Sequence, residues 1–359
     1  MLDLKKHLIN IRIFRAYGYL DLLKEAILFP YDYYFRKGRS FLPLNIALFL
    51  TLRCNAKCKM CNLQDILNKD NKEPNLKQIE DFVKVVKYRK PSFVLFGGEP
   101  LLRKDFIDIV KIIKKHKLRC GIFTNGLLLN EERIKEIVKE KLDYVVFSLQ
   151  GLGKVHDKIV NVNGAYEKLI ENLELFCKLR DKTRVIIHTT ITEDNVRNLQ
   201  EIVELGRTFK VDLIRFGHPT FFTKEDIKRH KHFCKIAFPG EDIAEVAWSY
   251  DPDKMTDVYV NEIKKLKKNK DIVFTPDLND EELREWYGEW RNRRKCKFVW
   301  RALFVFPNGD VFPCESINYK MGNIFEDDFR EIWNNNKYRN FRNRLKNGLF
   351  PACARCCKL

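Results

Sequence analysis

From Asn45 onward the sequence keeps one rhythm: short apolar runs at 46–50, 93–96, 120–123, 144–147, 185–191 and 213–216, most of them separated by segments of helical period. Phe106, Ile109, Val110 and Ile113 fall at i, i+3, i+4 and i+7, and Leu199, Ile202 and Val203 follow the same spacing, so each set lines one helix face. Asp194 or Asn195 is positioned to cap the second of these helices. Six strand–helix units over about 180 residues predict a parallel sheet, either doubly wound or curved into a barrel. In both arrangements the working residues belong at the C-terminal ends of the strands.

The flanks read differently. Residues 1–43 are rich in Leu, Ile, Tyr and Phe, and two short helices are expected over 3–16 and 19–28, ended by Pro30. They are expected to cap the main domain, and the cluster Tyr31, Tyr33, Tyr34, Phe35, Arg36, Lys37 keeps a membrane-surface reading open. Residues 223–295 are charged and irregular, with turn signals at Pro239-Gly240 and Asp251-Pro252, and read as a linker with some helices. In the last unit, 300–306 and 311–314 flank Pro307-Asn308-Gly309-Asp310, which predicts a hairpin with an Asn-Gly turn. The expected division is therefore 1–43, 44–222, 223–295 and 296–359.

Composition excludes several classes. A chain of 359 residues with 45% hydrophobic and 13% aromatic residues has ample material for a core and does not match disorder. No apolar stretch approaches the roughly 18 residues of a membrane span. Charges are mixed into the first fifteen residues instead of preceding an apolar run, so no secretory leader is read and a cytoplasmic location is expected. Eleven cysteines, an odd number in a chain of this size, argue against a disulfide framework and toward metal in a reducing compartment. The net charge of +18 points only to something anionic nearby.

Directly after the first strand stands Cys54-Asn-Ala-Lys-Cys58-Lys-Met-Cys61, a C-x3-C-x2-C spacing that wraps three thiolates around one centre. Structural zinc would need a fourth ligand, and no histidine or further cysteine lies close in sequence. Three cysteines on a four-iron cube leave one iron open for chemistry. This loop resembles the signature of the radical S-adenosylmethionine (radical SAM) superfamily, and the resemblance spans residues 45–222. It implies a partial (β/α)6 TIM-type barrel of parallel strands, with S-adenosylmethionine chelated on the open iron of a 4Fe-4S cluster held by Cys54, Cys58 and Cys61. Reductive cleavage would then yield a 5′-deoxyadenosyl radical that abstracts hydrogen from substrate. Met60 stands at the position before the third cysteine, often aromatic in the family, where it packs near the adenine; a thioether can take that role.

Further marks fall at successive strand ends. Phe96-Gly97-Gly98-Glu99-Pro100 resembles the family's GGEP element, which implies that Gly97, Gly98 and Glu99 receive the methionine amino group of the cofactor. Glycines admit close backbone approach and a carboxylate accepts from an ammonium. Thr124-Asn125-Gly126 and Ser148-Leu149-Gln150-Gly151 end the next two strands, with Asn125 and Ser148 as candidate cofactor contacts. The family often has Asp where Gln150 stands. Arg215 and His218 end the sixth run and are candidates to face substrate, beside the plainer readings of a surface arginine and a structural histidine.

The second constellation is Cys296, Gly309 and Cys314 in C-x12-G-x4-C, then Cys353-Ala-Arg-Cys356-Cys357. With the intervening 322–333 it resembles the SPASM/twitch extension of radical SAM enzymes. Residues 315–352 contain no cysteine, which favours the shorter, cysteine-rich α+β twitch form with one auxiliary 4Fe-4S cluster on Cys296, Cys314, Cys353 and Cys356, and Cys357 spare or substituting. By themselves four cysteines hold zinc equally well. Cys120, Cys177 and Cys234 read as small hydrophobes.

The leading reading is thus a radical SAM oxidoreductase or maturase acting on a peptide, a protein or a biosynthetic small molecule. Its implied partners are an electron donor such as flavodoxin or ferredoxin, and an anionic substrate or partner. One rival acts on a lipid or isoprenoid at a membrane surface through residues 1–43. The other is a basic, zinc-containing nucleic-acid-binding protein using 291–297 with Arg342, Arg344 and Lys346. The open three-cysteine site counts against the latter.

Overall fold

A computed structural model describes residues 28–41, 43–69, 72–241, 243, 256–269, 271–288 and 294–358. All six expected strands form: β1 (Asn45–Phe49), β2 (Ser92–Phe96), β3 (Arg119–Thr124), β4 (Tyr144–Ser148), β5 (Arg184–Thr190) and β6 (Leu213–Gly217). They pair in parallel and in sequence order, β1 to β6, with helices such as Leu76–Val86, Phe106–Lys115 and Leu199–Thr208 as crossovers. A doubly wound sheet reverses its order once. Here the order never reverses, so every crossover helix lies on the same face and the other face curves inward as a partial barrel.

The strand pleat sorts side chains between these faces. Ile46 and Leu48, Val145 and Phe147, and Ile187 and Phe216 face the helices in one large core. The residues between them point inward: Ala47 and Phe49 form one interior cluster with Phe304, and Tyr144, Val146, Ile186 and Leu213 form another.

The sheet extends beyond the six strands at both edges. β7 (Ile272–Thr275) pairs parallel to β6, inside the segment expected as linker, with the helices Lys224–Ala237 and Thr256–Leu266 before it and Asp280–Tyr287 after it in the chain. Four residues among charged neighbours carry too little pattern to announce a strand. On the other side β8 (Ala302–Val305) pairs parallel to β1 and turns through Gly309, at φ +90°, into antiparallel β9 (Asp310–Phe312). This is the expected hairpin. Antiparallel β10 (Gly322–Asn323) completes the edge, and the helix Asn336–Asn347 closes the unit.

Two local expectations differ from the structure. Pro30 does not end a helix, because residues 28–35 are helical throughout. A proline removes one donor without barring the residues after it from the turn, and Phe29 and Tyr33 hold the segment by packing on Trp300. The expected helix over 3–16, and most of that over 19–28, lie outside the described residues. Asn198, not Asp194 or Asn195, stands at the N-cap of the helix Leu199–Thr208, with no side-chain cap hydrogen bond. Those two are occupied elsewhere: Asp194 pairs with Lys59 and Lys158, and Asn195 donates to the carbonyls of Gln150 and Thr190. Among the described residues, no helix is long and apolar enough to cross a membrane.

Candidate active site

The three-cysteine loop leaves the C-terminal end of β1 and is pinned on both flanks. Lys57 and Lys59 donate backbone N–H groups to the carbonyls of Val160 (3.1 Å) and Ile159 (2.9 Å), at the end of the helix Gly153–Val160. Asn68 clasps Cys54 from the other side, accepting from its N–H at 2.8 Å and donating to its carbonyl at 3.2 Å. Arg53 pairs with Glu73, which also accepts from the Thr51 hydroxyl. Cys54, Cys58 and Cys61 are half-buried. Burial pushes the Cys54 thiol up to about 11 and the Cys58 thiol up to about 12, with the neighbouring thiols adding to both. Burial likewise raises Cys61. An iron that takes the thiolate removes that cost.

The glycines after β2 run directly against this loop. A Cβ on Gly97 would sit 2.3 Å from the Thr51 carbonyl oxygen, and one on Gly98 2.1 Å from that of Arg53 and 2.9 Å from the Cys54 Cβ. That closeness carries two backbone hydrogen bonds, Gly98 N–H to Thr51 O (2.9 Å) and Glu99 N–H to Arg53 O (2.8 Å). Glu99 is 1% exposed. Its Oε1 accepts from the Thr124 hydroxyl (2.9 Å) and the Leu101 N–H (3.1 Å), and its Oε2 from the Asn125 N–H (2.8 Å). Burial raises the carboxyl to about 7 against the pull of those donors. One lone-pair site on Oε2 is left for an ammonium. Asn125 in turn donates from its side chain to Asn55 Oδ1 (2.8 Å), which ties the end of β3 to the cysteine loop. Ser148 ends β4 opposite His188 of β5, and Met60 is half-buried within the loop.

Gln150, the departure from the family pattern, has a structural task. Its N–H donates to His156 Nδ1 (3.0 Å), its Oε1 accepts from the Thr190 N–H (2.9 Å), and its carbonyl accepts from Asn195 (2.8 Å).

Beneath the loop the barrel interior is aromatic. Phe49 stacks on Phe306 (4.7 Å between centroids) and Phe96 (5.7 Å), and Phe96 stacks on Phe123 (4.5 Å). The Arg215 guanidinium lies 5.1 Å from the Phe123 ring centre, and its Nε donates to His188 Nδ1 at 3.1 Å. Burial first, then the Arg215 charge, hold His188 well below its usual range, so it is neutral. His218 faces elsewhere. It is buried against Phe274 and Trp286, with Nδ1 2.9 Å from the Tyr287 hydroxyl, which makes it the structural histidine of the two readings.

The second cysteine set lies toward the other end of the same strands. Cys296 precedes β8, whose Ala302 is in register with Asn45 at the start of β1, and Cys314 follows β9 as it runs back the same way. The thiols of Cys296, Cys314, Cys353 and Cys356 are all raised, first by burial, and those of Cys314, Cys353 and Cys356 also by neighbouring members of the set. Cys357 turns away. Its thiol donates to Glu315 Oε1 at 3.4 Å, and it feels Lys358 and Arg215. The turn is clamped by Arg355, a residue that carries no motif. It donates to the carbonyls of Trp286 (2.8 Å) and Gly288 (2.6 Å) and pairs with Asp226 at 2.8 Å. Among the described residues no three His, Cys, Asp or Glu side chains close on a single metal ion. Buried thiols that feel one another are a donor set that fits an iron–sulfur cluster, each cysteine binding a different corner.

The basic tail is partly turned inward, with Arg344 exposed. Arg342 is fully buried between Trp333 and Tyr338 (4.1 and 4.4 Å from the ring centres), donating to the carbonyls of Val299, Gly38 and Trp333. Arg344 lies over Phe238 and Lys346 over Tyr33. Helix packing reassigned the charges, and periodicity alone does not show which arginine of a basic helix turns inward. Residues 291–293 of the other basic run lie outside the described residues.

A parallel barrel with an open three-thiol loop at one end and a buried four-thiol set at the other defines the class: a radical SAM enzyme carrying an additional iron–sulfur domain. The family comparison agrees. The model of the radical SAM superfamily matches residues 48–206, and that of SPASM, an iron–sulfur cluster-binding domain, matches 296–357. The chain belongs to this superfamily. Its relatives include the tungsten-containing aldehyde ferredoxin oxidoreductase cofactor-modifying protein of Pyrococcus furiosus, 26% identical over 337 residues and covering 86% of each chain. A cysteine-type anaerobic sulfatase-maturating enzyme of Clostridium novyi is 26% identical over 344 residues, covering 85% of each. Among solved structures, SuiB of Streptococcus suis bound to its precursor peptide SuiA shares the fold, with a TM-score of 0.63 at 17% identity over 86% of this chain and 68% of that one.

Proposed function

We propose that this radical SAM enzyme is a maturase whose substrate, a segment of a peptide or protein or a biosynthetic cofactor, reacts inside the barrel between the two cysteine sets. The observation that carries this reading is the placement of the sets at opposite ends of β1 and β8, with an inward aromatic layer and Arg215 between them. When bound, a 4Fe-4S cluster with S-adenosylmethionine on its open iron supplies a 5′-deoxyadenosyl radical that abstracts hydrogen.

The chain's own residues prepare the place for that chemistry. Cys54, Cys58 and Cys61 hold the first cluster on a loop fixed by Asn68 and Glu73. Gly97 and Gly98 allow β2 to run against that loop, and Glu99 offers its remaining acceptor to the cofactor ammonium. Asn125, Ser148 and Met60 line the same rim. Phe49, Phe96, Phe123 and Phe306 exclude water beneath it and give a flat apolar wall. Arg215, held by neutral His188, presents a positive charge to an anionic group of the substrate. Cys296, Cys314, Cys353 and Cys356 hold the auxiliary cluster, with Cys357 outside the set. The catalytic unit is read as 44–222, extended by β7, and the auxiliary unit as 296–358. The relatives that modify a cofactor or mature a sulfatase support both substrate classes.

The test is label transfer. Deuterated candidate peptides and cofactor precursors are offered to the reconstituted enzyme, and deuterium is sought in 5′-deoxyadenosine. The proposal expects transfer from an anionic substrate, and Arg215→Ala to raise its KM at least tenfold with little loss of kcat. Transfer unaffected by Arg215→Ala would place the substrate elsewhere.

A further inference from the structure

Six large hydrophobic residues are exposed among the described residues, and four of them lie in one patch: Tyr31 (53%), Tyr34 (67%), Phe35 (73%) and Tyr88 (59%). The patch is continuous. Tyr31 stacks on Phe35 (6.0 Å) and on Phe41 (6.3 Å), Arg36 and Arg89 lie 4.3 and 4.9 Å from the Phe41 ring centre, and Arg89 lies 5.8 Å from that of Tyr88. Its rim is cationic: Lys37, Arg39, Lys87 and Lys90 are exposed around it. The acid of the 28–41 stretch, Asp32, is buried and taken up by Ser40 and Arg36. On the Tyr88 side, Asp328 is engaged by Arg330 at 2.6 Å, and exposed Glu331 also stands beside Arg330.

The ground under this patch is rigid. A Cβ on Gly38 would meet the Arg339 carbonyl oxygen at 2.5 Å, and buried Arg342 donates to the Gly38 carbonyl. The inner side of the same helix covers the auxiliary set. Tyr33 is buried, 5.1 Å from exposed Tyr34 and 5.0 Å from Trp300 of the turn that follows Cys296. Exposed Lys297 lies 5.4 Å from the Phe29 ring centre and adds a further cation beside the helix. The patch is therefore the outer surface of the wall whose inner surface is the Cys296 turn, at the end of the barrel away from the Cys54 loop.

We propose that residues 31–41 and 87–90 form the docking surface for an acidic one-electron carrier protein of the flavodoxin or ferredoxin type, seated over the auxiliary site. This rests on the assignment of Cys296, Cys314, Cys353 and Cys356 to an iron–sulfur cluster. Charge complementarity selects the occupant: a cationic rim steers an acidic partner, and an aromatic centre of this size suits a small transient interface, which resembles those of redox encounters. The position selects it further. A membrane gains nothing from lying over a buried redox site, whereas a carrier needs a short separation from one. The carrier seated here leaves the mouth of the barrel, at the opposite strand ends, open to a bulky substrate.

Binding is the readout. Oxidised flavodoxin and oxidised ferredoxin, both acidic, are titrated calorimetrically into the full-length, cluster-loaded protein at low and raised salt. At least one carrier is expected to bind, with affinity falling as salt rises. Tyr34→Ser/Phe35→Ser and, separately, Arg39→Glu/Lys87→Glu are expected to weaken binding at least tenfold with unchanged circular dichroism and unchanged cleavage of S-adenosylmethionine by dithionite. The proposal is overturned if neither carrier binds, if both variants bind like the parent, or if the same variants instead abolish cosedimentation with phosphatidylserine vesicles or self-association. Metal analysis keeps the two readings apart: zinc in place of iron on the four cysteines defeats the cluster assignment, whereas full iron with patch-independent binding defeats only the docking surface.

Discussion

Gly98 has no room for a side chain, because the Arg53 carbonyl oxygen lies 2.1 Å from where its Cβ would be. Gly98→Ala must push β2 off the cysteine loop, breaking the Gly98–Thr51 and Glu99–Arg53 hydrogen bonds. The expected outcome is selective: reconstituted iron falls from about eight to about four per chain, with the auxiliary cluster retained. Iron analysis and electron paramagnetic resonance check it, and a full complement of iron contradicts it. Glu99 is the second residue-scale test. Glu99→Gln puts an amide where two oxygens accept three hydrogen bonds, and it removes the charge offered to the ammonium. Charge-assisted hydrogen bonds contribute about 1.5–3 kcal/mol, so affinity for S-adenosylmethionine is expected to fall about tenfold or more in equilibrium dialysis.

At the scale of elements, two joints outside the β1–β8 pairing are open to test. One is the C-terminal turn, where Arg355 spans the carbonyls of Trp286 and Gly288 and the carboxylate of Asp226. Lysine cannot reproduce that fork. Arg355→Lys is expected to lose the auxiliary irons first while cleavage of S-adenosylmethionine persists, as measured by iron content against 5′-deoxyadenosine yield. The other joint is the β6–β7 edge, where His218 is packed between Phe274, Trp286 and Tyr287. Burial lowers its pKa to about 3, so the native imidazole stays neutral where the unfolded one, near 6.5, takes a proton. Between those values the unfolded state binds more protons, and stability falls as pH falls. One such histidine costs about 2 kcal/mol by pH 5. The urea midpoint of the parent is expected to drop more steeply between pH 7 and 5 than that of His218→Gln; parallel curves would show that His218 protonates in place.

For the whole molecule, what was legible followed from regular pattern. Six strands of a parallel sheet announce themselves by apolar runs and intervening helical period, and the cysteine spacings mark where each cluster site begins. Resemblance supplied the GGEP element and the cofactor that patterns alone leave open. Less legible was everything that depends on contacts between distant segments. β7 is four residues long and is defined by pairing with β6. Arg355 and Arg342 look like surface charge in sequence because only the fold turns them inward onto carbonyls. Gln150 reads as a departure from the family pattern until His156, Thr190 and Asn195 are seen around it. The barrel-facing role of Arg215 likewise depends on the pleat of β6 against His188 of β5.

Everything proposed for this molecule rests on two iron–sulfur sites, one of them open, at opposite ends of the barrel. Anaerobic reconstitution with iron and sulfide, followed by reduction in the presence of S-adenosylmethionine, tests it most directly. About eight irons per chain are expected, with formation of 5′-deoxyadenosine that disappears on Cys58→Ala. Zinc in place of iron, or bound iron with no cleavage of S-adenosylmethionine, would contradict it.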